Sequence, residues 1–132
     1  MPGAPPELRR GCLLSDQRRA AGQRGEDLAL EHLLSEGYSL VARNHRTRHG
    51  EIDLIVRRGG TLVFVEVKLR RGLGFGDPLE SVTPHKQQRI RTLAERYLAG
   101  CKEDAFEEVR FDVVGVLLEG GKTRITHVEG AF

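Results

Sequence analysis

The sequence has little cysteine, little net charge and no long hydrophobic run, and each shortage excludes a class of protein. Cys12 and Cys101 are its two cysteines and show no metal-ligand spacing. That argues against a disulfide framework and for a reducing compartment. No apolar stretch approaches the length of a membrane helix. The N-terminus, MPGAPPELRRGC, lacks the apolar middle of a signal peptide. A cytoplasmic protein with no membrane partner is expected. The formal net charge is only +2, so overall charge does not mark a nucleic-acid binder.

What is present fits one folded domain. The chain has 132 residues, 39% hydrophobic and 30% charged, enough to bury a core. Its charge is unevenly spread. Arg43, His45, Arg46, Arg48 and His49 come close together, Arg57, Arg58, Arg70 and Arg71 follow, and the acidic counterweight 103-EDAFEE-108 lies well downstream. Clustered arginines on loops can contact phosphates, although solvated surface charge is the commoner explanation for any one of them.

Hydrophobic spacing predicts a frayed tail over residues 1–16 and one domain over 17–132. Residues 17–36 read as a helix through Ala21, Ala29, Leu30, Leu33 and Leu34, stopped by Gly37. Residues 38–46 read as a strand, 50–70 as two more, and 71–81 as a glycine-rich connection. A second helix starts at Thr83, an N-cap followed by Pro84, carries the stripe Ile90, Leu93, Ala94, Tyr97 and Leu98, and ends at Gly100. A buried strand over 109–119 and an edge strand over 122–132 complete the order α-β-β-β-α-β-β. The predicted class is α/β, a central mixed sheet flanked by helices.

Gly59-Gly60 between two β-rich runs predicts a hairpin that pairs Arg58 with Thr61. Counting back, Ile55 faces Phe64, Asp53 faces Glu66 and Glu51 faces Lys68. The other face holds Ile52, Leu54 and Val56 against Val67, Val65 and Val63, so both faces are largely buried and the hairpin is central. Opposed carboxylates repel, and a buried one without a partner is costly. Glu51 and Lys68 can neutralise each other, which leaves Asp53 and Glu66 unbalanced. A divalent cation answers that imbalance, and hard oxygen ligands suit Mg²⁺. Protonation of one acid, or pairing of both with arginines, would answer it too.

Two further residues come under question. Glu26 aligns with Gly22, Ala29 and Leu33 on one face of the first helix. Either it reaches the sheet beside Asp53 and Glu66, or a small rotation of the helix exposes it. Lys86 aligns with Ile90, Leu93 and Tyr97, but a first-turn lysine easily reaches solvent, which is the expectation for it. A cation held by two or three carboxylates beside a lysine suits phosphodiester hydrolysis. Lys68 would orient water or neutralise developing charge, and adjacent acids favour its protonated form.

Asp53, twelve intervening residues and then Glu66-Val67-Lys68 resemble the D…(D/E)xK signature of the PD-(D/E)xK nuclease superfamily. The segments 25-GEDLALEHLLSEGY-38, 43-RNHR-46, 50-GEIDLI-55, 64-FVEVKLR-70, 75-FGDPLESVTPHKQQRI-90 and 110-RFDVV-114 resemble one branch of it, the YraN-like family of predicted endonucleases related to archaeal Holliday-junction resolvases. The resemblance implies a restriction-endonuclease-like core. It implies Mg²⁺ or Mn²⁺ on Asp53, Glu66 and the Val67 carbonyl, Lys68 as the catalytic lysine and Glu26 as the helix acid. The substrate it implies is DNA, branched or single-stranded regions included, and a homodimer would suit a branched substrate. Ile52 stands where the motif has its proline, which is often absent in the superfamily.

Arg43, Arg46, Arg48, Arg70, Arg71 and Lys86 are the candidate nucleic-acid contacts. Two other readings stay open, a nucleic-acid-binding protein that keeps the nuclease fold without turnover and a scaffold whose acids pair with arginines. Gly72, Gly74 and Gly76 lack the spacing and the Lys-Ser/Thr of a phosphate loop and suggest a loop at the mouth of the site, with Phe75 as an anchor. His45 and His49 have no second metal-ligating pair. Asp112, in a buried-looking strand, would pair with an arginine or support the site.

Overall fold

The computed structural model describes residues 13–71, 81–101 and 106–132, with residues 13–22 described by their backbone. Residues 1–12 of the tail, with Cys12, residues 72–80 of the glycine-rich connection, with Phe75, and residues 102–105 before β4 lie outside the described residues. The elements are α1 (Leu13–Ser35), β1 (Ser39–Thr47), β2 (Gly50–Arg58), β3 (Thr61–Arg71), α2 (Pro84–Ala99), β4 (Glu108–Glu119) and β5 (Lys122–Val128). Their order is the expected one, although α1 starts at Leu13, inside the segment expected as tail.

Local signals explain the ends. Gly37 takes φ +95, a conformation that a side chain resists, and Tyr38 N–H donates to Leu33 C=O at 3.1 Å to close α1. Thr83 caps α2 by accepting from the Lys86 N–H, with Pro84 opening the first turn. Gly59, at φ +61, turns β2 into β3 with Arg58 paired to Thr61.

The sheet order is β1-β2-β3-β4-β5. The β3–β4 pair is parallel and the others are antiparallel, so α2 supplies the crossover that a parallel pair requires. One face packs Leu54, Val56, Val63, Val65, Val114 and Val116 against Ala29 and Leu33 of α1. The other packs Ile52, Ile55, Leu62 and Phe64 against Leu93 and Ala94 of α2. The mixed sheet with a helix on each side is therefore present, and β3 lies at its centre.

The hairpin departs from simple alternation at one place, and that place is the site. The β2–β3 ladder keeps the predicted register from Arg58–Thr61 to Leu54–Val65 and goes no further. Ile52 was expected beside Leu54 and Val56, yet it packs with Ile55 and Leu93 on the α2 face. β1 makes the same change. Ala42 and His45, three residues apart, both lie on the α2 face, against that core and against Tyr97. Asn44, between them, has φ +54, a left-handed conformation that asparagine tolerates better than most residues. Two neighbouring strands thus switch faces together, at Asn44 and Asp53. The expected facing pairs, Asp53 with Glu66 and Glu51 with Lys68, lie beyond the ladder's end.

Candidate functional site

Where β2 and β3 part, side chains replace the ladder. Asp53 Oδ2 accepts the Val67 N–H at 2.9 Å, satisfying a main-chain donor that has no strand partner there. The face switch carries Glu51 and Asp53 toward α1, and Glu26 meets them from that helix. One carboxylate oxygen from each of Glu26, Glu51 and Asp53 lies within 4.8 Å of the others. The open question about Glu26 is thereby answered: it reaches the sheet. Its side chain is only 12% exposed, and Oε1 is buried with no hydrogen-bond partner, with Arg43 Nε 3.5 Å away as an ion pair.

Electrostatics match this crowding. Burial, followed by the Glu66 charge, pushes Asp53 up to about 7, against the Val67 N–H that pulls it down, and Glu26 and Glu51 add to the rise. Burial likewise raises Glu26 above the ordinary carboxylate range, with Asn44 and Arg43 opposing. Among the described residues the acids therefore form a centre short of positive charge, even after Arg46 bonds Glu51 at 2.7 Å and Arg43 bonds Asp27 at 2.6 Å.

Glu66 sits differently from expectation. Its side chain is 8% exposed and is held by Lys86 Nζ at 2.6 Å and Lys68 Nζ at 3.5 Å. It is outside the three-oxygen cluster of Glu26, Glu51 and Asp53, yet close enough for its charge to act on Asp53. Glu51 does not serve as the counter-charge of Lys68, because it pairs with Arg46 and joins the acids. The face switch explains both differences, since it turns Glu51 and Asp53 away from the side on which Glu66 meets α2.

Lys86 corrects a second expectation. It does not simply reach solvent: the buried stripe of α2 seats the helix on the sheet, and its first turn delivers Nζ onto Glu66. Burial lowers the Lys86 pKa, but hydrogen bonds to Glu66 and Lys68 outweigh it, leaving a net rise. Lys68 moves the other way. Burial and then the neighbouring Lys86 lower it; Glu66 favours the protonated form as expected, but burial and Lys86 outweigh it.

The arginines divide. Arg43 is bound to α1 through Glu26, Asp27 and the Gln23 carbonyl, and Arg46 is bound to Glu51, so these two neutralise acids at the site. Arg48 and Arg71 are exposed and Arg70 is partly buried. Arg71 lines an open cavity of about 540 Å³ with Arg24, Glu119 and Lys122, a group separate from the acids. His45 packs edge-on against Tyr97 with ring centroids 5.0 Å apart.

Asp112, of its two expected roles, takes the arginine pairing. It is fully buried, accepts from Arg110 at 2.9 and 2.8 Å and from the Gly130 N–H at 3.0 Å, and lies 2.6 Å from His127 Nε2. Burial raises its pKa, and the hydrogen bonds from His127 and Arg110 more than reverse that, leaving it below the usual range. The network fastens β4 to the chain after β5 and also reaches the Tyr38 hydroxyl through Arg110.

Sequence reasoning missed Asn44 and the part played by Glu51. Neither had a signal of its own, because both depend on the coordinated face switch. Lys86 did have one, its alignment with the buried stripe of α2.

Comparison with known proteins finds relatives of this sequence in one family. Residues 25–116 match the model of a family described as Uncharacterised protein family UPF0102. A UPF0102 protein of Rhodococcus jostii is 50% identical over 114 residues, covering 86% of this chain and 96% of its own. Another, from Acidothermus cellulolyticus, is 50% identical over 126 residues, covering 87% of this chain and 95% of its own. Among solved structures, Pyrococcus furiosus SfsA in complex with Ca²⁺ aligns with a TM-score of 0.32 at 16% identity, over 85% of this chain and 63% of that one, a likeness too slight to carry an argument.

Proposed function

The chain belongs to the uncharacterised protein family UPF0102, and we propose that it is a divalent-cation-dependent nuclease that hydrolyses phosphodiester bonds in DNA, branched DNA included. One observation carries the proposal: three carboxylates converge within 4.8 Å, and burial penalises the charge of two of them, Glu26 and Asp53. Arg43 and Arg46 offset part of that negative charge, and a divalent cation would offset the rest.

The residues fit Mg²⁺ or Mn²⁺. The donors are hard oxygens, they come from two rigid elements, and the buried Glu26 Oε1 has no hydrogen-bond partner. Asp53, Glu26 and Glu51 would hold the ion, with Glu66 and the Val67 carbonyl as further oxygens from β3. A divalent cation bound there supplies Lewis acidity toward a phosphoryl oxygen and toward water.

The chain's own groups supply the rest. Lys68 and Lys86 set two ammonium groups beside Glu66, where they can hold a phosphate oxygen and offset charge that builds during displacement. Lys68, with its lowered pKa, is the better placed of the two to exchange a proton with water. Arg48, Arg70 and Arg71 remain as candidate backbone contacts, while Arg43 and Arg46 act by shaping the acid cluster. A cytoplasmic setting accords with this activity.

The test is incubation of branched, single-stranded and duplex DNA with Mg²⁺ or Mn²⁺, comparing wild type with Asp53→Ala and Glu66→Ala. Metal-dependent cleavage by wild type, lost in both variants, is expected. A wild type that cuts nothing, or variants that cut equally well, would defeat the proposal. Salt-sensitive DNA binding without cleavage would point to a binding protein instead.

A further inference from the structure

The site has two halves of opposite balance. On the α1 side, Glu26, Glu51 and Asp53 crowd together with too little positive charge. On the α2 side, the single carboxylate of Glu66 is shared by Lys86 and Lys68. Lys86 is the nearer, at 2.6 Å against 3.5 Å. Its position is built in, since Thr83 caps the turn that carries it and Ile90, Leu93 and Ala94 anchor that helix to the core. Glu66 is the more deeply buried partner, at 8% exposure against 35% for the Lys86 side chain, so a released Lys86 ammonium can reach solvent.

We propose that Lys86 is a positioning residue that latches Glu66 on the α2 side, so that a divalent cation and the Lys86 ammonium compete for the same carboxylate. A cation that recruits Glu66 frees Lys86, and the freed ammonium contacts a phosphate of the bound strand. The inference rests on the proposed cation site. It adds that the site has an internal occupant for its fourth acid, and that the exchange couples cation binding to phosphate binding. The physical basis is that cation and ammonium repel each other while sharing one carboxylate, an interaction that the low-dielectric surroundings of Glu66 strengthen.

The latch predicts opposite effects of one substitution on two ligands. Calorimetric titration of the full chain with Mn²⁺ alone is the first measurement, on wild type, Lys86→Ala, Lys86→Arg and Asp53→Asn. Lys86→Ala is expected to bind Mn²⁺ about tenfold more tightly than wild type, and Lys86→Arg within about twofold of it. The second measurement is binding of duplex DNA in Ca²⁺ across a salt series. There Lys86→Ala is expected to bind several-fold more weakly, with a salt slope reduced by about one, and Lys86→Arg to restore both. Circular dichroism of each variant checks that α2 remains folded.

If Asp53→Asn loses Mn²⁺ binding while Lys86→Ala binds as wild type does or more weakly, the latch is wrong and the cation site stands. If wild type and Lys86→Ala both fail to bind millimolar Mn²⁺, the cation site falls and the latch with it.

Discussion

Replacing Asp53 with asparagine should stabilise this protein in the absence of metal, and the gain should depend on pH in a defined direction. The folded protein holds Asp53 at about 7, against an ordinary value of 3.8. Well below pH 3.8 the group is protonated in both folded and unfolded chains. Between about pH 4 and pH 7 the unfolded chain releases the proton while the folded chain keeps it, so stability falls as pH rises through that window and levels off above it. Three units at about 1.4 kcal/mol each give roughly 4 kcal/mol, which solvent screening at this partly open site reduces to about 2–4 kcal/mol. Asparagine removes the charge and keeps an oxygen to accept the Val67 N–H. Urea denaturation in EDTA should therefore show Asp53→Asn more stable than wild type by about 2–4 kcal/mol at pH 8, and by about 1 kcal/mol at pH 5. A variant less stable than wild type at pH 8, or a difference that does not change between the two pH values, would refute the reasoning.

Added Mn²⁺ should reverse that order: at about 1,000 times its dissociation constant it stabilises wild type by about 4.1 kcal/mol, read as a rise in melting temperature that Asp53→Asn lacks. Glu26→Gln should fold normally yet bind Mn²⁺ more weakly in calorimetry, since Oε1 is buried without a hydrogen-bond partner and lies close to its neighbouring acids. Asp112→Ala should cost about 3–5 kcal/mol in denaturant melts, because it leaves Arg110 without its main partner and frees the Gly130 N–H. The same depressed pKa means that the contribution of Asp112 is present above about pH 4 and is lost as pH falls further, which an acid titration of stability would show. Gly50→Ala should destabilise by about 1–3 kcal/mol in the same melts, since Gly50 has φ +146 and a Cβ would lie 3.1 Å from Leu93 Cδ1.

The elements were legible because their signals are local. The α2 stripe, its Thr83-Pro84 start and the Gly59-Gly60 turn each act over a few residues, and each is found in place. Register followed from the turn as far as Leu54–Val65. Alternation then failed because it assumes an unbroken ladder, and the break depends on two strands at once, with Asn44 in a left-handed conformation and Asp53 bonding the Val67 amide. The acids stand out in the sequence as an excess of negative charge among apolar residues, and burial together with the Glu66 charge raises Asp53. Their grouping was not legible: Glu51 rather than Glu66 completes the cluster with Glu26 and Asp53. Lys86 was misjudged because helical periodicity gives the side of the helix a residue occupies and not what lies opposite, which here is a buried glutamate.

The most direct measurement of the central claim is anomalous scattering from a crystal soaked in Mn²⁺. A peak is predicted among the carboxylates of Glu26, Glu51 and Asp53, within coordination distance of their oxygens, with Glu66 turned from Lys86 toward the ion. No peak there at millimolar Mn²⁺, with the acids still crowded and Glu66 still on Lys86, would contradict the account.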